Sequence, residues 1–367
     1  MNQAQPTPAA APSAPAARPD RAPAESLPVP LRFVGPVQLA GPDLTGSWLV
    51  PLATYETPLW PSVERGARAT ARAGGIRAMV TAENMTRSIL LDAPDAAAAA
   101  DLVRFIQDSL PALREAAAST SRFARLQDVH CEQLGHLVFA RFAFTTGDAS
   151  GHNMATRASD ALMDWILARR PEARYGSISG NLCCDKKASA VNGLLGRGKS
   201  VVAEVLLPSR LVARYLHTTP KKIADLCWRK NWAGSTLAGS LRSANAHFAN
   251  MLLAFYLATG QDAANIVEGS QGFTLAEETP DGDLRFSCTL PNLILGTVGN
   301  GKNLPAVTEN LRRLDCLDPR APGENACRLS LLCAATVLCG ELSLLAAQTT
   351  PGALVSSHLR LERPSAT

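Results

Sequence analysis

RLSLLCAATVLCGELSLLAA, residues 328–347, is the stretch whose reading decides the fold. Its most apolar run, residues 329–339, is about eleven residues long, well short of the ~20 that a bilayer needs, and Arg328 and Glu341 flank it. A helix this apolar that does not span a membrane has to be covered on every side, so the segment predicts a buried core helix. Residues 245–259 are a second apolar helical segment, and the two together predict a large unit with a helical core. Upstream the pattern changes. Residues 96–118 are Ala-rich with helical spacing, HLVFARFAF (136–144) alternates as a strand, and ASDALMDWILARR (158–170) is an amphipathic helix. Residues 89–177 therefore read strand, helix, strand, helix, strand. Residues 28–53 alternate apolar runs with Gly35-Pro36 and Gly41-Pro42, which predicts short strands separated by turns. The fold class expected is α+β.

A chain of 367 residues has room for two structural units. Its net charge of +4 is spread over both signs without Lys/Arg blocks, so nucleic acid is not an expected partner. The nine cysteines, an odd number scattered without CxxC spacing, read as reduced thiols of a cytoplasmic protein. Cys183 and Cys184 lack further ligands at zinc spacing, and no metal is expected. The first 27 residues hold 9 Ala and 6 Pro with no apolar periodicity, which predicts a disordered tail rather than a secretory signal. No membrane span is expected.

Residues 193–200, GLLGRGKS, satisfy the phosphate-loop pattern GxxxxGK[ST] letter for letter. That chemistry needs a strand before the loop and a helix after it, so that helix N-terminal amides face phosphate. Here residues 187–195 read as a helix and residues 200–207 as a strand. The order is reversed, and the nucleotide-hydrolase reading is rejected.

Five blocks carry more specific information: STSRFARLQ (119–127), SGNLCCDKKASAVNGLLGRGKSVVAEVLLP (179–208), NAHFANMLLAFYLATGQDAAN (245–265), LGTVGNGKNL (295–304) and GENACRLSLLCAATVLCGELSLLAA (323–347). In this order they resemble class I 3-hydroxy-3-methylglutaryl-coenzyme A (HMG-CoA) reductase, over residues 28–358. The resemblance implies a soluble homodimer or homotetramer that reduces HMG-CoA to mevalonate and coenzyme A with two NADPH per turnover. It also implies a long buried helix in a large domain (28–88 and 190–367), an inserted ferredoxin-like NADP-binding small domain (89–177) and a catalytic connecting loop (178–189). Tail residues 1–27 lie outside it.

Carried over residue by residue, the resemblance makes Glu56, Lys186, Asp262 and His358 catalytic. Arg87, Ser179, Asp185, Lys187, Lys230, His247 and Asn250 become substrate-binding positions. The cofactor positions are Arg65, Arg68, Ser121, Arg122, Phe123, Asp148 and Asn153, in a loop where Gly147 and Gly151 permit close backbone approach. The reaction needs such groups. Two hydride additions develop oxyanions that an ammonium at Lys186 would stabilise. Glu56, with Asp262 as its neighbour, would donate protons, and Asp262 would orient Lys186. A protonated imidazole at His358 would protonate the leaving thiolate. Arg87 and Lys187 would hold the substrate carboxylate through charge-assisted hydrogen bonds.

The sequence also departs from the family. Thr57-Pro58 replaces Gly-Cys after Glu56, and Glu64 stands where Asn is usual. Ser150 and His152 occupy two usual methionine positions, and PAESLP (23–28) stands where the family has its pairing segment. These drifts leave two other readings open: a reductase of a related branched acyl-CoA, and a catalytically silent coenzyme A-binding oligomer.

Overall fold

The structure is a computed structural model that describes residues 27–353, 355, 356 and 359. His358 and all but the last residue of the Ala/Pro-rich tail lie outside the described residues. The chain folds as a mixed α/β structure. Strands β1 (Leu31–Ala40) and β2 (Thr45–Ala53) form an antiparallel pair. Gly35-Pro36 does not end a strand, contrary to the turn expected there; β1 continues through it with a register shift between Val34 and Val37. Helix α1 (Leu59–Arg72) follows.

The 16-residue strand β3 (Arg77–Asp92) organises the larger sheet. Its first half pairs with β7 (Gly198–Leu207), and its second half with β5 (Leu137–Thr145) and β6 (Arg174–Ser177). On one side β4 (Arg125–Leu134) extends β5, and on the other β9 (Leu284–Leu293) and β8 (Phe273–Glu278) extend β7. Along β6, β3, β5 and β4 the neighbours are all antiparallel, with α2 (Ala96–Asp108), α3 (Leu110–Ala118) and α4 (His152–Leu167) in the connections. The single helix expected over residues 96–118 is broken at Ser109, because Pro111 sits in the first turn of α3 and lacks the N–H that a continuous helix would use. Two hydrophobic cores result, one between this half of the sheet and its helices and one beneath the β1–β2 and β7–β9 layers.

Helix α5 (Ala190–Leu195) leads into β7, so the phosphate-loop look-alike is helix-then-strand. Its lysine, Lys199, is buried and paired with Glu83 at 3.4 Å. Helices α6 (Phe248–Ala258), α7 (Pro305–Arg313) and α8 (Glu324–Gln348) complete the larger core. By length and composition α8 would span a membrane, but 94% of its apolar window is buried inside the protein. Both flanks of α8 touch other helices at glycines. A Cβ at Gly66 of α1 would lie 2.0 Å from the Cys339 carbonyl oxygen, and one at Gly340 would lie 2.5 Å from Met251 Sδ of α6.

Candidate active site

The connection between β6 and α5 carries Ser179, Asp185, Lys186 and Lys187. It bends through left-handed backbone at three non-glycine residues, Asn181 (φ 58°), Cys184 (φ 45°) and Lys186 (φ 56°). Each such residue costs about 1–2 kcal/mol and persists only if its surroundings impose it. Here they do. Cys183 N–H donates to Ser88 Oγ at 3.1 Å, Asn192 Nδ2 donates to the Cys184 carbonyl at 3.0 Å, and Lys186 N–H donates to Glu268 Oε1 at 3.1 Å. Lys186 Nζ then meets Asp262 Oδ2 at 2.7 Å. That hydrogen bond raises the Lys186 ammonium above its ordinary value. Burial pushes the Asp262 carboxyl up, but the Lys186 bond and the Ala264 N–H outweigh it and hold the group below the carboxylate range. Lys186 is therefore a charged donor.

Beneath the loop lies a network that the sequence reading missed. Arg197, wholly buried, reaches Glu268 Oε1 at 2.9 Å and Asp185 Oδ1 at 3.1 Å. Asn265 Nδ2 donates to Glu268 Oε1 at 2.9 Å. Burial raises the Glu268 carboxyl despite Arg197. The available signal was Arg197 itself, a charge between two glycines at the head of a buried strand, which the rejection of the phosphate-loop motif left unexplained. Arg87, on β3 and mostly buried, comes within 3.9 Å of Asp185 Oδ2. Ser179 lies in the same loop, and Lys187 Nζ donates to the Asp185 carbonyl at 3.1 Å. Arg87, Ser179, Asp185, Lys186, Lys187 and Asp262 thus form one cluster.

Glu56, Lys230, His247 and Asn250 form another. Asn250 Nδ2 donates to Glu56 Oε2 at 2.6 Å, in the first turn of α6. His247 precedes that helix, and its Nδ1 and backbone N–H both contact Glu341 Oε2, at 3.0 and 3.1 Å. Lys230 lies near the same carboxylate; burial lowers its ammonium and the Glu341 charge partly restores it. Asp262 follows the far end of α6. Eleven helical residues span ~16 Å, so the expected neighbouring of Glu56 and Asp262 does not occur within one chain. The two clusters sit at opposite ends of α6.

Beside the residues expected to bind a cofactor, a cavity of about 750 Å³ is lined by Glu83, Arg122, Phe123, Arg125, Thr145, Gly147, Pro322 and Gly323. Ser121 Oγ accepts the Phe123 N–H at 3.1 Å and braces this wall, and Arg122 stacks on the Phe123 ring at 4.8 Å. Asp148 is engaged structurally, its Oδ1 accepting the Ala326 N–H at 3.0 Å in the first turn of α8. Asn153 is in the first turn of α4. Arg65 and Arg68 stand elsewhere. Arg65 is half-buried on α1 and donates twice to Ser343 at 3.0 and 2.6 Å, and Arg68 is exposed on the same helix. Ser343 is twenty residues along α8 from Gly323, ~30 Å of helix, so Arg65 does not reach the cavity of its own chain.

A protein-family model described as hydroxymethylglutaryl-coenzyme A reductase matches residues 25–363. The 3-hydroxy-3-methylglutaryl-coenzyme A reductase of Pyrococcus abyssi is 45% identical over 323 residues, covering 87% of this chain and 78% of that one. The protein of the same name from Aeropyrum pernix is 42% identical over 343 residues, with coverage of 93% and 81%. Among solved structures, the class II 3-hydroxy-3-methylglutaryl-CoA reductase from Streptococcus pneumoniae, bound to NADPH in open conformations, superposes with a TM-score of 0.70. It covers 89% of this chain and 86% of its own at 19% identity, a likeness that speaks for the fold alone.

Proposed function

This chain belongs to the hydroxymethylglutaryl-coenzyme A reductase family, and from that premise we propose that it is a class I, NADPH-dependent reductase converting HMG-CoA to mevalonate and coenzyme A with two NADPH per turnover. The observation that carries the reading is the Lys186–Asp262 pair at 2.7 Å, held on a strained loop beside Arg87 and Asp185. A charged donor fixed before the reaction begins needs no reorganisation when an oxyanion forms.

Bound NADPH supplies the hydride. Arg87, Lys187 and Ser179 bind the hydroxymethylglutaryl carboxylate and aim the thioester at Lys186. Lys186 stabilises the oxygen of the tetrahedral hemithioacetal, and again that of the aldehyde during the second reduction. Glu56, held by Asn250, delivers the proton to the alkoxide, and His358 protonates the departing thiolate. Lys230 and His247 complete the substrate pocket beside Glu56. Ser121, Arg122, Phe123, Asp148 and Asn153 form the cofactor site; the 750 Å³ cavity with its arginines and aromatic ring fits a phosphorylated dinucleotide.

Glu56 and Lys186 act on one substrate in this scheme, yet α6 separates them. A homodimer, or a tetramer of two such pairs, resolves the conflict if Glu56, Lys230, His247 and Asn250 of one subunit face Lys186 and Asp262 of the other. Arg65 and Arg68 then serve a partner's cofactor. We assign residues 28–88 and 190–367 to a large domain built round α8, residues 89–177 to a ferredoxin-like small domain and residues 178–189 to the catalytic loop. The β6, β3, β5, β4 order supports the small-domain assignment. A cytoplasmic location fits the free thiols found at all nine cysteines.

Loss of NADPH absorbance with HMG-CoA tests the reading. Lys186→Ala should lower kcat about 10²–10³-fold, with NADH much the poorer donor. A wild-type oligomer that binds coenzyme A but turns over no HMG-CoA would transfer the assignment to another acyl thioester or to a silent binding protein.

A further inference from the structure

His152 belongs to no role assigned above. It occupies the first position of α4, directly after the cofactor loop, at a position where the family resemblance predicts methionine. Its side chain is only 20% exposed, and its Nε2 is buried with no hydrogen-bond partner among the described residues. Asp185 Oδ1, the nearest carboxylate oxygen, is 3.8 Å away, just beyond hydrogen-bond reach. Nδ1 faces Ser150 Oγ at 3.4 Å. Either atom of this contact can donate; with the Ser150 hydroxyl as donor the ring carries its hydrogen on Nε2, the nitrogen nearest Asp185. Burial and the nearby Arg197 push the imidazole down to about 4, so the ring is neutral at working pH and has one N–H to give.

We propose that His152 is a positioning residue: its Nε2–H latches onto Asp185 when the cofactor loop settles on its ligand, coupling cofactor binding to the order of the Asp185–Lys186–Lys187 loop. The inference rests on the reductase reading for the identity of the ligands. A buried N–H left unpaired opposes the open arrangement, and closure by less than 1 Å gives it a partner. Asp185 is ion-paired with Arg197, faces Arg87 and accepts a long bond from Asn265 Nδ2, so a further donor on this carboxylate fixes the residue immediately before Lys186. The segments joined are the start of α4, which borders the cofactor loop, and the catalytic connection, which holds the substrate-facing charges. A methionine at position 152 would fill the space without donating.

The test measures binding without turnover. The dissociation constant of NADP⁺ is determined by calorimetry with and without HMG-CoA, on the full-length oligomer, for wild type, His152→Met and His152→Gln. Glutamine places an N–H close to the position of Nε2. The wild type should bind NADP⁺ about 5–10-fold tighter when HMG-CoA is present, and His152→Met should lose that enhancement to within about twofold. His152→Gln should restore most of it, and kcat/KM with NADPH should fall and recover in the same order. Undiminished coupling in His152→Met, or a His152→Gln protein no better than His152→Met, would overturn the latch. So would a wild type that binds both ligands without coupling. Tight coupled binding with no turnover in the wild type would instead count against the reductase reading and leave the latch standing.

Discussion

Burial and the Arg197 guanidinium hold the His152 imidazole neutral, while Asp185 and Asp262 pull the other way and Lys186 adds to the depression. The consequence is a pH dependence whose sign follows from proton counting. Below pH 6.5 the unfolded chain begins to bind a proton that the folded chain refuses until about pH 4. Stability attached to neutral His152 is therefore nearly complete above pH 6.5 and lost as pH falls towards 4, by about 3 kcal/mol at the full shift. Urea unfolding from pH 7 to pH 4 should show a shallower fall in His152→Met than in wild type; parallel curves would remove His152 from the acid response. Residue chemistry of this kind was half legible. Lys186, Asp262 and Asp185 were singled out by the sequence for their functional groups, and the structure brings them into one cluster. Arg197 and Glu268 were missed because a buried ion pair is defined by two partners 71 residues apart, and neither has a local signature.

At the scale of elements, the N-terminus of α6 shows how a remote residue sets a boundary. Residues 245–259 carry helical apolar spacing throughout, yet the helix begins at Phe248. Asn245 Oδ1 accepts the Phe248 N–H at 3.1 Å, and the Ala246 and His247 N–H groups turn to Glu341, 94 and more residues away on α8. Burial pushes the Glu341 carboxyl up, but His247, the Ala246 N–H and the Thr274 hydroxyl outweigh it, so the buried group stays an anion. Glu341→Gln keeps the shape and removes the charge that these donors surround. The expected cost is about 2–4 kcal/mol, read as a lower denaturant midpoint at unchanged slope. A midpoint equal to wild type would mean that the carboxylate is not the cap. Gly66→Ala makes the companion case for helix crossing: with the Cys339 carbonyl 2.0 Å from the new Cβ, α1 has to move off α8, which should cost about 1–3 kcal/mol by the same measurement.

For the whole molecule, the placing of the two residue clusters at opposite ends of α6, a helix ~16 Å long, has a direct experimental signature. Lys186→Ala and Glu56→Gln chains should each be nearly inactive, and co-refolding them in equal amounts should return about a quarter of wild-type activity, because half the dimers are mixed and each mixed dimer holds one intact pair of half-sites. Continued inactivity of a mixture shown to exchange subunits would place Glu56 and Lys186 in a single-chain site after all. What the sequence by itself determined was the class of the fold, the buried character of α8, the rejection of the phosphate-loop motif and the family to which the chain belongs. These depend on local periodicity and on functional groups, which a linear chain carries in full. Only the tertiary structure decided where helices begin and break, which charges are buried together, and that the expected site residues fall into two clusters divided by α6. Those properties depend on which distant segments meet, and proximity in space is created by packing rather than by any spacing along the chain.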